Sequence, residues 1–345
     1  MADPVLGIAP LGFPWPTVDP FLFCVHHDDR YPKANGRYGP AASLAGHRLG
    51  QDFFNSDGWR MYHGSTVPGF PAHPHRGFET VTIVRRGWID HSDSLGAAAR
   101  YGAGDVQWLT AGRGVVHAEM FPLLDTTAPN PLEFFQIWLN LPARSKLAIP
   151  RFAMFWSHDV PRLATVDASG ALTEVVCVAG RVDERSATIE PLAPPPDSWA
   201  ASIDNDVAIW TLRLSPGARW GLPPALGSET RRSLYFFAGD SVGVGSHAVD
   251  RHAAIELEAA SPVELSNPGA TTAELMMLQG RPIGEPIVQH GPFVMNTAAE
   301  VRVAFAEYQR TQFGGWPWPD GEPVHGAGPA RFASRGDGRT RRVTA

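Results

Sequence analysis

From residue 61 to about residue 141 the apolar positions fall in short runs, ETVTIVRR, DVQWLT, GVVHAEM and FFQIWLNL. Runs of this length, rich in Val, Ile, Thr and aromatics and punctuated by Gly or Pro, predict strands. A looser Pro-, Arg- and Ser-rich connection spans Pro142 to about Pro161. A second set of runs follows it: LTEVVCVAG, VAIWTLRL, SLYFFAGD, AIELE and AELMMLQG. Residues 1 to about 60 read as strands and loops wrapping onto the first half. The shared rhythm of the halves predicts a tandem of two related β-barrels. One helix is predicted near the end. Thr297-Ala298-Ala299-Glu300 fits a capping box, Val301, Phe305 and Tyr308 recur at helical spacing, and Gly314-Gly315 stop the pattern. Pro194-Pro195-Pro196 is a loop, because prolines bring no amide donors to a ladder.

Composition narrows this picture. The 345 residues are enough for about two domains, and 35 glycines with 32 prolines suit an all-β chain of tight turns. A net charge of −6, with its basic residues dispersed, gives no footprint for nucleic acid. The one basic cluster, Arg331 to Arg342, reads as a solvated tail. Two cysteines, Cys24 and Cys177, supply no disulfide framework and fit a reducing compartment. The N-terminal residues lack the pattern of a signal peptide, and no run approaches the ~20 apolar residues of a membrane span. The expectation is a soluble, cytoplasmic protein.

The candidate chemistry lies in Gly69-Phe-Pro-Ala-His73-Pro-His75 and in Gly112-Arg-Gly-Val-Val-His117-Ala-Glu119. Side chains two apart on a strand share a face, so His73 converges with His75 and His117 with Glu119. Pro74 opposes a helix interior there. Barrel interiors alternate with exteriors, so both pairs can aim into one cavity. Three imidazoles and a carboxylate suit Fe, Mn, Ni, Cu or Zn, and the ligand types do not choose among them. Four ligands leave one or two positions for a substrate or dioxygen. Glu79 is read as orienting a ligand imidazole or as structural. His63 faces the cavity or closes a turn. His26-His27-Asp28-Asp29 reads as a surface loop, and Phe78, Trp108 and Gln136 as possible pocket lining. The second half has no His-x-His pair, and His247, His252 and His290 read as structural or exposed.

The segments MYHGSTVPGFPAHPHRGFETVTIVRRG, HSDSLG, GAGDVQWLTAGRGVVHAEM and FQIWLNLP resemble the pirin family of bicupins. PPPDSWA, NDVAIWTLRL and GRPIGEPIVQHGPFVMNT extend the resemblance, which runs from about His26 to Gly315. It implies an all-β chain of two stacked cupin-type barrels with a C-terminal helix, iron in the first barrel and none in the second. His73, His75, His117 and Glu119 match the family's HPH and HxE positions one for one. Ser92 stands where the family pattern leads one to expect an acidic residue. The expected divisions are 1–150 for the metal barrel, 151–320 for the metal-free barrel with its helix, and 321–345 for a disordered tail.

The resemblance implies two functional readings. The first is a quercetin 2,3-dioxygenase-like enzyme, opening a flavonol or related enol with dioxygen on Fe(II), with Glu119 as general base. The alternative is an iron- or redox-sensing regulator that binds a protein partner without turnover.

Overall fold

The computed structural model describes residues 3–54, 57–184, 187–336 and 338–343. The chain forms two compact units. The first comprises Met1–Val25, Ile137–Pro142 and His158–Gly284, and the second His26–Gln136, Ala143–Ser157 and Glu285–Ala345.

The first unit carries the later strands. A seven-stranded sheet orders Val5–Pro10, Ala253–Leu257, Arg231–Ala238, Ala273–Gly280, Ala208–Leu214, Leu172–Ala179 and Arg162–Val166. A four-stranded sheet contains Arg219–Leu222, Val263–Ser266, Val242–Val244 and His247–Val249. Leu234 and Phe236, Leu275 and Met277, and Leu212 and Leu214 each follow the two-residue period of one strand face. They meet Trp220, Leu222, Val244 and Leu265 of the smaller sheet in one core.

The second unit packs its share of a five-stranded sheet against a six-stranded one. The five-stranded sheet orders Arg151–Phe155, Val106–Thr110, Phe78–Arg86, Asn130–Asn140 and Phe21–Tyr31. The six-stranded sheet orders Thr340–Val343, Arg331–Ser334, Ala98–Gly102, Trp88–Asp93, Val115–Met120 and Gly69–His75. Val84 and Phe134 from one sheet meet Ile89, Ala99 and Tyr101 from the other, closing an aromatic-rich core.

Three expectations about the chain's division are corrected. Residues 3–25 group with the later strands and not with the metal half. Val5–Pro10 does so by pairing antiparallel with Ala253–Leu257.

The helix Ala298–Thr311 belongs to the second unit. Phe305 packs its ring edge-on to Phe293 at 4.7 Å, and Glu307 accepts from Arg76 at 2.7 Å.

The tail is ordered where it is described, with Arg331–Ser334 pairing with both Ala98–Gly102 and Thr340–Val343. Its composition misled because the cations have seats: Arg331 donates to the buried Asp105 at 2.8 Å, and Arg341 lies over the Trp156 ring. An open sheet edge also needs a partner, and the tail hairpin supplies one.

His247 and His252 are exposed or at its margin, as is His290. Both cysteines are free and buried. Among the described residues no helix is long and apolar enough to cross a membrane.

Candidate metal centre

Two neighbouring strands build the centre. Gly69–His75 runs antiparallel to Val115–Met120, with His73 opposite His117 and Phe70 opposite Glu119. A bulge between Phe70 and His73 re-aims the chain just before the first histidine. Gly69 (φ +136°) permits the close approach there, since a Cβ would stand 2.5 Å from the Glu119 carbonyl.

The imidazoles of His73, His75 and His117 converge, their ligand atoms all within 4.8 Å of one another. His73 Nε2 lies 3.1 Å from His75 Nε2 and 3.0 Å from His117 Nε2. His73 Nδ1 donates to the Pro71 carbonyl at 2.8 Å, which leaves the lone pair on Nε2. His75 bonds to the backbone of Pro292, which can only accept. Burial pulls the His73 imidazole down to about 4 and holds His75 and His117 well below their ordinary range. The Nε2 lone pair of neutral His73 faces the Nε2 atoms of His75 and His117, a convergence of nitrogen donors that fits a metal ion.

Glu119 shares the strand with His117, but its carboxylate faces other partners. Gln136 Nε2 donates to it at 2.8 Å, the Thr82 hydroxyl lies at 3.1 Å and the Tyr101 hydroxyl at 3.5 Å. Burial raises the Glu119 carboxyl above its usual range, opposed by His91 and these hydrogen bonds. The cluster within 4.8 Å therefore comprises three imidazoles, with Glu119 held beside it.

The other candidates sort as follows. Glu79 is buried and accepts from Thr110 at 2.7 Å. Phe78 meets His75 edge-on at 5.1 Å, Trp108 is fully buried core, and Gln136 is a partner of Glu119. His63 is exposed and bonds the Gly50 carbonyl, and its ring stands 5.8 Å from Phe70 and 5.0 Å from Phe53.

The surface-loop reading of His26–Asp29 is corrected. His27 and Asp29 point inward from the strand Phe21–Tyr31 and share the Tyr62 hydroxyl, at 2.7 and 2.6 Å.

Sequence reasoning missed His91 and Asp93. Both are fully buried, joined at 3.1 Å, and carried on the strand Trp88–Asp93, where they oppose Glu119 and His117. The His91 ring lies 5.6 Å from that of His117. The signal was available, since His91 and Asp93 repeat the two-residue spacing of the ligand pairs.

Comparison with known proteins agrees with this architecture. The pirin family model matches residues 15–139, and the model of the pirin C-terminal cupin domain matches residues 209–314. A Pseudomonas aeruginosa protein named "Putative quercetin 2,3-dioxygenase" is 37% identical over 70% of this chain and 79% of its own. Pirin-1 of Arabidopsis thaliana is 34% identical over 72% of this chain and 80% of its own. Among solved structures, quercetin 2,3-dioxygenase from Acinetobacter baumannii superposes with a TM-score of 0.66. It covers 91% of this chain and 96% of its own at 24% identity, a likeness of fold.

Fold and site together define a bicupin, two cupin-type β-domains with an imidazole cluster in one. The chain belongs to the pirin family.

Proposed function

We propose that the protein is a metal-dependent dioxygenase that opens the heterocycle of a flavonol or a related enol, with ferrous iron on His73, His75, His117 and Glu119. The observation that carries this reading is the cluster of three neutral imidazoles beside a carboxylate held by its own partners. The names of relatives support it. When bound, the metal supplies Lewis acidity and open positions for an enolate and dioxygen.

The chain's own residues supply the rest. Glu119 takes the enol proton, its carboxylate kept in place by Gln136 and Thr82. Burial favours the protonated form of Glu119 and so assists it as acceptor. His73 is the half-buried member of the triad. Phe70, 6.3 Å from His73, and Phe53, 6.5 Å from Phe70, offer rings against which a planar substrate can lie. In the net reaction both atoms of dioxygen enter the product and the carbon between the cleaved bonds leaves as carbon monoxide.

The test is anaerobic reconstitution with ferrous iron, following quercetin loss and oxygen uptake together. Glu119→Gln is expected to keep metal and lose about 10²–10⁴-fold in turnover. His73→Ala is expected to lose metal. Stoichiometric iron with no oxygen uptake on any flavonol would sink the enzyme and leave the regulator.

A further inference from the structure

Residues 315–345 lie beyond both family matches, and within the second unit residues 318–328 bond to the ligand-bearing sheet. We infer that this segment is a positioning strap for the metal centre, setting the aim of His73 and the seat of the strand behind His117. The inference rests on the metal-centre reading above.

The first contact is at the bulge. Ala72, between Pro71 and His73, donates its amide to the Gly321 carbonyl at 2.8 Å. Gly69–His75 is the edge strand of its sheet, so this bond satisfies a donor the ladder leaves over. The bulge also presents the Pro71 carbonyl that fixes the His73 tautomer. A shift of the bulge therefore moves both the ring and its proton.

The second contact is on Trp88–Asp93, which alternates its side chains. His91 and Asp93 face the ligands, while Asp90 and Ser92 face the strap. Trp318 Nε1 donates to the Asp93 carbonyl at 2.9 Å. His325 donates its amide to Asp90 at 2.7 Å and its Nε2 to the His91 carbonyl at 2.8 Å. Asp90 is also held by the buried Arg100, at 2.7 and 2.6 Å, and Arg100 in turn donates to the carbonyls of Gly326 and Gly328. The Trp318 and His325 bonds end on the backbone or outer face of the strand that pairs with Glu119 and His117.

Ser92 is fully buried, with its hydroxyl 3.1 Å from His325 Nε2. A longer acidic side chain at this position would occupy the seat of the imidazole. The small residue and the strap belong together.

Partners that orient metal ligands commonly carry 10–100-fold in metal affinity, and coupling between strap and metal must be reciprocal. The experiment uses full-length protein freed of metal and titrated with cobalt(II), read by its visible absorption. The combined variant Trp318→Phe, His325→Ala is expected to bind cobalt about tenfold more weakly, with an altered visible spectrum and an unchanged far-ultraviolet circular dichroism spectrum. In the unmodified protein, cobalt is expected to slow amide exchange across residues 316–328, a readout that stands even where the variant fails to fold. Affinity and spectrum like those of the unmodified protein, or tail exchange indifferent to cobalt, would overturn the strap alone. An unmodified protein that takes no cobalt would overturn the metal-centre reading and the strap with it.

Discussion

At the scale of single residues, environment decides chemistry. Burial, with help from Arg60 and His26, holds the His27 imidazole well below its ordinary value of 6.5. The folded chain keeps His27 neutral, whereas the unfolded chain takes a proton as pH falls through 6.5. Stability contributed by this residue is therefore present above that pH and lost below it. His27→Gln should flatten the stability profile between pH 6.5 and about 5 by up to ~1.4 kcal/mol per pH unit. Urea midpoints across that window, measured without metal, provide the check.

The cysteines behave alike. Burial pushes the Cys177 thiol up to about 12 and Cys24 higher still. Both should ignore a thiol reagent in the native protein and react fully once it unfolds. Rapid labelling of the folded protein would contradict this. The sequence made the histidine pairs legible because period-two spacing needs no tertiary knowledge. It hid His27 and Asp29, because the same HHDD string suits a loop or a strand with alternate residues inside.

At the scale of elements, the helix was legible from its cap. Thr297 Oγ1 accepts from the Glu300 amide at 3.2 Å, and Glu300 accepts from the Thr297 amide at 2.8 Å. Thr297→Ala should cost about 1 kcal/mol, with Thr297→Ser close to neutral, as read by chemical denaturation. Where the helix packs was not legible, since its ion-pair partner Arg76 comes from a distant part of the chain. The strands Arg331–Ser334 and Thr340–Val343 were missed for a related reason. Their arginines look like a solvated run until the buried Asp105 and the Trp156 ring are known to face them.

At the scale of the whole molecule, two β-rich units of the cupin type were legible from rhythm and resemblance, but their membership was not. A boundary near residue 150 follows the linear order of strands, whereas the units exchange their outer segments. Strand pairing across more than two hundred residues leaves no local mark. Metal bound at His73, His75 and His117 should stabilise the unit that contains them. The gain is about 2.7 kcal/mol when free metal stands 100-fold above its Kd. Amide exchange should show the added protection in residues 26–136 and leave 158–284 little changed.

The interleaved segments also bear on biosynthesis. The ligands leave the ribosome well before the strands Arg331–Ser334 and Thr340–Val343 that join their sheet. At roughly 5–20 residues per second, the nascent ligand half waits on the order of tens of seconds for its closing hairpin. During translation it exposes a free sheet edge and loosely held histidines. Metal loading then becomes a step that follows synthesis of the hairpin, and a chaperone acting in that interval would guard the ion's future site as well as the fold.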